Sequence, residues 1–294
     1  MSKVFVLPIA VCLLCLFTFF GTSFVAILLG HVSNTTSTTS ALYISDGATF
    51  SPESCVFGQF VNMGAVLLGI VIYIRYRQIE ELMYDYTNLI KSMTNMNKTA
   101  MWFGYLTCLG LSMVANFQIT NVPIIHYLGA LSCFGSGCVY IWIQGHITYH
   151  ARAYTASTQM AYLRFGLAAL CTYFFFVAIL TNCETLRVLF DEQPPKDCKY
   201  HQVSVSSEWL VASILCFYVL SFTGEFRQIT LNHPKIILVK SENSSITESS
   251  QATESVSFSI DIASSFSTNL NGCSYIETHV QLNNASSNQK DSNI

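Results

Sequence analysis

Five polar residues carry most of the chemistry that this sequence offers: Glu53, Asn116, Gln118, His126 and Glu208. They lie far apart in the chain, yet each falls near the end of an apolar stretch. A histidine near carboxylates gains charge as its surroundings acidify, because imidazole titrates close to neutral pH. The matching chemistry is proton uptake in a polar pocket or a pH-sensitive latch. The alternative makes the same five groups interfacial hydrogen bonds and helix caps. No GxSxG, HExxH or Walker pattern occurs. His146 and His150 stand at i, i+4, but two histidines alone make a poor metal site. The sequence therefore points to no catalytic residue, no cofactor and no metal.

The elements that must position these residues follow from composition. Of the 294 residues, 51% are hydrophobic and only 11% charged. A soluble domain has roughly a quarter of its residues charged, so this chain cannot cover a soluble surface. Long apolar blocks alternate with short polar ones, the pattern of a polytopic membrane protein. No basic stripe exists for nucleic acid. The fold class expected is all-α: a six-helix transmembrane bundle over residues 1–240. Its spans fall at about Val4–Gly30, Ser54–Ile74, Ala100–Phe117, Pro123–Gln144, Ala161–Leu180 and Ser207–Gly224. The first run is too long for the apolar region of a signal peptide and reads as a retained span.

Lysines and arginines orient the bundle. With the N-terminus inside, the outer loops carry only Arg187, Lys196 and Lys199. The expectation is N-in and C-in, which six spans satisfy. That arrangement puts the five polar residues at one membrane face. Pro123 suits the first turn of the fourth helix and sets His126 one turn in. Pro52 and Glu53 suit the start of the second, where a carboxylate favours the helix dipole.

The first outer loop contains the sequon Asn34-Thr35-Thr36, a candidate for N-glycosylation. Cys183 and Cys198 share the third outer loop and are a candidate disulfide in an oxidising compartment, with Cys55 as a third thiol. Most other cysteines (Cys12, Cys15, Cys108, Cys133, Cys138, Cys171, Cys216) sit in apolar blocks as small packing residues. After the second span, Ile79, Leu82, Met83, Tyr86 and Leu89 recur at helical spacing and predict an amphipathic helix along the membrane. Within it, Asp85, Tyr86, Leu89 and Ile90 match sorting signals read by adaptor proteins. A structural helix and a sorting signal are both compatible with that stretch. From 241 to 294 the chain is rich in Ser, Asn, Thr and Gln, and is expected to be a disordered cytosolic tail.

Ionisable groups deep in a bilayer usually mark function. The spans lack them in their middle thirds, and Arg164 and Arg227 at the cytosolic boundary are expected to snorkel. This argues against an ion-coupled transporter. Small residues recur at i, i+4 (Gly104, Cys108, Ser112; Gly129, Cys133, Gly137; Ala65, Gly69) and predict close helix packing.

Several stretches together resemble one family. "YISDGATFSPESCVFG" supplies Tyr43, Ile44, Ser45, Asp46, a spacer, Pro52, Glu53, then Phe57 and Gly58. "RYRQIEE", "VANFQITNVPIIHYLGA", "VYIWIQGHITYH" and "SEWLVASILCFYVLSFTGEFRQI" follow in order. The chain is identified from these as resembling the DRAM family, the damage-regulated autophagy modulators, over roughly Val4 to Ile237. Their wider group includes GPI-lipid-remodelling proteins and regulators of phosphatidylinositol kinase. The resemblance implies a six-span protein of lysosomal or late endosomal membranes that promotes autophagy and, in some members, cell death. It brings no established catalytic residues. Its implied partners are membrane lipids and adaptor or autophagy proteins. Two further readings follow from the wider group. One is a lipid-handling protein or enzyme built on Glu53, His126 and Glu208. The other is a plasma-membrane scaffold for a phosphoinositide kinase; a Golgi location also fits the group.

Overall fold

The computed structural model describes residues 3–31, 42–85, 93–151, 157–182 and 200–230. The tail from 241 onward, Asn34, Cys183, Cys198, Tyr86, Leu89 and Ile90 lie outside the described residues. All six apolar blocks form helices: α1 (Val6–Leu28), α2 (Glu53–Asp85), α3 (Met93–Asn116), α4 (Pro123–His150), α5 (Thr158–Thr181) and α6 (His201–Leu220). A short α7 (Thr223–Phe226) continues α6, and a single 3-10 turn (Asp46–Ala48) sits in the first loop. No strand occurs among the described residues.

Local chemistry sets the helix ends. Gly30, at φ 69, closes α1. There the His31 N–H bonds the Ala26 carbonyl and the Gly30 N–H bonds that of Ile27, a Schellman motif. Pro123 opens α4. The Ser157 side chain caps α5 by accepting from the Met160 N–H at 3.2 Å. Several helices outrun the apolar blocks because their polar extensions are also good helix. In α2, Arg77 pairs with Glu80 and Glu81 one turn on. Ile79 on the same extension is buried, and Leu82 and Met83 pack against the core.

Successive helices run in opposite directions and each packs on the next. α6 returns to α1, so the six close into a ring. The lower end of the bundle is where α1, α3 and α5 start; the upper end is where they finish. Small residues permit the tightest seam. A Cβ on Gly110 of α3 would lie 2.4 Å from the Cys133 nitrogen of α4, and one on Gly129 would lie 2.8 Å from the Met113 Cβ. Backbone meets backbone there, and a larger side chain at either glycine would force the helices apart.

Five helical segments are long and apolar enough to cross a membrane: Val6–Leu28, Glu53–Met83, Pro123–His150, Thr158–Thr181 and His201–Phe226. α3, with 24 residues, has the length, about 36 Å at 1.5 Å per residue, but is not among those five. Large apolar side chains such as Phe17, Trp102, Leu180 and Leu28 point outward from the ring. An outer face of this kind suits lipid, as in a multi-pass membrane protein.

Candidate functional site

The upper end is built around the loop that precedes α2. Its Tyr43–Gly47 segment folds back onto the helix ends. The Tyr43 N–H donates to Asp46 Oδ2 at 3.0 Å, which tightens the turn. The Trp209 indole N–H of α6 donates to the Leu42 carbonyl at 2.8 Å. Ile44 and Ser45 are buried, and the Tyr43 ring stands edge-on to His201, with centroids 5.1 Å apart. Gly47 lies directly on α1: a Cβ there would come within 2.6 Å of Ser23 Oγ and 2.7 Å of its Cα. The loop thus plugs the upper end between α1 and α6.

Titratable groups gather around this plug. Glu208 accepts from the Ile44 N–H and lies near the Asp46 carboxylate. Burial pushes the Asp46 carboxyl above its ordinary value, against the opposing pull of the Tyr43 N–H and of His201. The Schellman turn of α1 delivers His31 to Glu53, whose Oε1 is 2.5 Å from His31 Nδ1. Glu53 opens α2 and is 2% exposed, and its second oxygen has no hydrogen-bond partner. Pro52 immediately precedes it, joined to Ser51 by a cis bond. Phe57 is buried beside Phe19 at 6.0 Å between ring centroids. Gly58 brings α2 against α3, where an added Cβ would lie 3.3 Å from the Ala115 carbonyl.

Each of the five polar residues singled out from the sequence finds its partner outside that set. Glu53 pairs with His31, and Glu208 with the loop backbone. Asn116 bonds Asn62 and Ser112, joining α3 to α2. Gln118 accepts from Asn121 in the turn before α4. His126, 5% exposed, holds the Phe117 carbonyl at 2.7 Å. His31 and His201 are the upper-end groups that sequence reasoning passed over; Asp46 stood there as a motif residue only. Their signal was available: both flank the same helix ends as Glu53 and Glu208.

The lower end holds a second polar assembly, and it corrects an expectation. Arg164 does not snorkel. Arg164 and Arg75 are both 0% exposed and enclose Glu225, itself buried at 4%. Arg164 grips both Glu225 oxygens, at 3.0 and 2.9 Å, and Arg75 holds Oε2 at 3.0 Å. Burial is offset because the opposite charges meet directly and most of the remaining N–H groups are satisfied. Arg75 donates to Gln144, Gln78 and Thr148. Arg164 donates to Thr148 and to the hydroxyl and carbonyl of Ser221. Both guanidiniums also lie over the Phe222 ring, at 5.1 and 4.7 Å. The network ties α2, α4, α5 and the end of α6 together. Arg227 does stay exposed, with its guanidinium over Phe5. The missed signal was the row Tyr140, Gln144, Thr148 at i, i+4, i+8, one polar face on α4.

The interior cysteines are thiols. Cys138 and Cys171 lie 3.7 Å apart between α4 and α5, and Cys55 is exposed. No group of three His, Cys, Asp or Glu side chains among the described residues is placed to hold a metal ion.

Comparison with known proteins follows the same boundaries. The Frag1/DRAM/Sfk1/Cwh43P N-terminal domain family matches residues 3–229. The chain is 32% identical to DNA damage-regulated autophagy modulator protein 2 of Mus musculus over 238 residues, 76% of this chain and 84% of that protein. It is 32% identical to DNA damage-regulated autophagy modulator protein 1 of Homo sapiens over 208 residues, 70% of this chain and 84% of that protein. The Danio rerio modulator of macroautophagy TMEM150B is 29% identical over 189 residues, 64% of this chain and 71% of that protein. These relatives are named as modulators rather than as enzymes. No solved structure matches.

Proposed function

The chain belongs to the Frag1/DRAM/Sfk1/Cwh43P family, and on that premise we propose that it is a non-enzymatic membrane protein that promotes autophagy from lysosomal or late endosomal membranes. The single observation behind this reading is the length and continuity of the match to relatives named autophagy modulators. In this reading α3 is the sixth span. Both chain ends face the cytosol, the upper plug faces the lumen, and the Arg75–Glu225–Arg164 assembly lies at the cytosolic side. In this reading the Ser-rich tail and the segment of Asp85, Tyr86, Leu89 and Ile90 are both cytosolic, and an adaptor reads that segment.

The experiment is knock-out and re-expression of a tagged chain, with localisation, autophagic flux and lipid composition measured together. Residence with lysosomal or late endosomal markers and reduced flux on loss are the expected results. Unchanged flux with an altered lipid profile, GPI anchors included, would replace this reading with the lipid-handling one. Surface residence with a co-purifying phosphoinositide kinase would replace it with the scaffold.

A further inference from the structure

The lower-end assembly is not electrically closed. Arginine stays protonated under all ordinary conditions. Two guanidiniums, Arg75 and Arg164, therefore face one carboxylate, Glu225, and all three are shut away from solvent. No other described acidic side chain joins the network; Glu80 and Glu81 pair with Arg77 on the exposed face of α2. Among the described residues one positive charge is left over. An uncompensated charge in a closed, low-dielectric interior is costly, several kcal/mol in order of magnitude.

The hydrogen-bond donors show the same surplus. Arg164 uses all five of its N–H groups. Arg75 uses four, and its Nη2 makes only a 3.4 Å contact to Thr148, which leaves one N–H over. One turn further into the bundle on the same face of α4, Tyr140 is 4% exposed, and its hydroxyl has no hydrogen-bond partner. That hydroxyl lies within the field of both guanidiniums. A buried tyrosine hydroxyl ordinarily finds a partner. The spare N–H is a donor, the hydroxyl can donate, and the excess charge is positive. Water would satisfy the hydroxyl and leave the charge. A monovalent anion answers both.

We propose that Arg75 and Tyr140 hold a small monovalent anion, chloride or a similar halide, which completes the charge balance of the Arg75–Glu225–Arg164 assembly. A lipid phosphate does not fit, because Arg75, Arg164, Glu225 and Tyr140 are all sealed inside the ring and a headgroup has no approach. The anion is a structural ligand: it sits where α2 and α4 meet and stabilises their contact with α5 and the end of α6.

The test uses the purified full chain in detergent. Thermal unfolding is followed as sodium chloride replaces sodium gluconate at constant ionic strength. A ligand that binds the folded state alone raises the midpoint with the logarithm of its concentration, roughly 3 °C per tenfold above the dissociation constant. Bromide should substitute for chloride. Tyr140→Phe removes one donor and should shift the response to about tenfold higher chloride. Gln144→Glu places a carboxylate against Arg75 Nε and neutralises the site from within. This variant should lose the chloride response and unfold no lower than the parent does in gluconate. A parent midpoint identical in chloride and gluconate overturns the proposal and leaves water as the occupant. An equal chloride response in parent, Tyr140→Phe and Gln144→Glu also overturns it, since the halide would then act elsewhere.

Discussion

The two ends of the bundle are held by opposite means. At the lower end, permanently charged guanidiniums close on a carboxylate, and four helix segments are tied through side chains. At the upper end, a loop backbone is wedged between α1 and α6, and His31, Asp46, Glu53, His201 and Glu208 gather around it. The guanidiniums of the lower lock keep their charge across the pH range of cellular compartments. The upper plug contains Asp46, whose carboxyl burial holds above its ordinary value, so this end is expected to respond to pH. A protein with one fixed end and one adjustable end has a natural place for its response to conditions.

The largest test of this contrast is Arg164→Ala. It strips Glu225 of the two hydrogen bonds from Arg164 and leaves the one from Arg75, and breaking such a buried pair costs about 3–5 kcal/mol. The expected outcome is a collapse of the thermal midpoint and of cellular abundance, equally at pH 5.5 and 7.5. A penalty that varied strongly with pH would erase the distinction between the ends. Next in size is Gly47→Ala at the upper end, where the new Cβ meets the Ser23 backbone at 2.7 Å. Overpacking of this kind costs about 1–3 kcal/mol. It should expose the first loop to protease while the lower half of the bundle keeps its hydrogen-exchange protection. Trp209→Phe removes the donor to the Leu42 carbonyl and should cost about 1 kcal/mol, read as a lowered unfolding midpoint. The smallest effect is the pH slope carried by Asp46. A carboxyl held above its ordinary value takes up protons more readily folded than unfolded. The folded state therefore gains stability as pH falls from neutral towards the ordinary carboxylate range, and loses it as pH rises through the folded value. Asp46→Asn keeps an oxygen for the Tyr43 N–H and should flatten this part of the slope. An unaltered slope of midpoint against pH would remove Asp46 from the adjustable end.

The helices were legible because apolar runs of bilayer length have few other uses, and Pro123 marked the start of α4. The α3–α4 seam was legible from the stripe through Gly129 and Cys133, although Gly110, which makes the closest approach, lies off the noted α3 stripe. The upper plug was half legible. "YISDG" stood out as a motif, but its contacts with Ser23, His201 and Trp209 join residues far apart in the chain. The lower lock was not legible. Arg75 and Arg164 sit near span ends, where exposure of the charge is the ordinary outcome, and their carboxylate is 150 and 61 residues away. Periodicity reports which face of a helix is apolar. It does not report which distant polar group meets that face.

The position of Glu225 also imposes an order on biosynthesis. Chains are made from the N-terminus, so both arginines reach the bilayer before their shared carboxylate has been translated. Until α6 is inserted, α2, α4 and α5 each carry part of an unfinished polar core. The last helix to emerge is therefore the one that licenses the others to settle. A chain stopped between residues 164 and 225 carries two guanidiniums without the carboxylate that joins them.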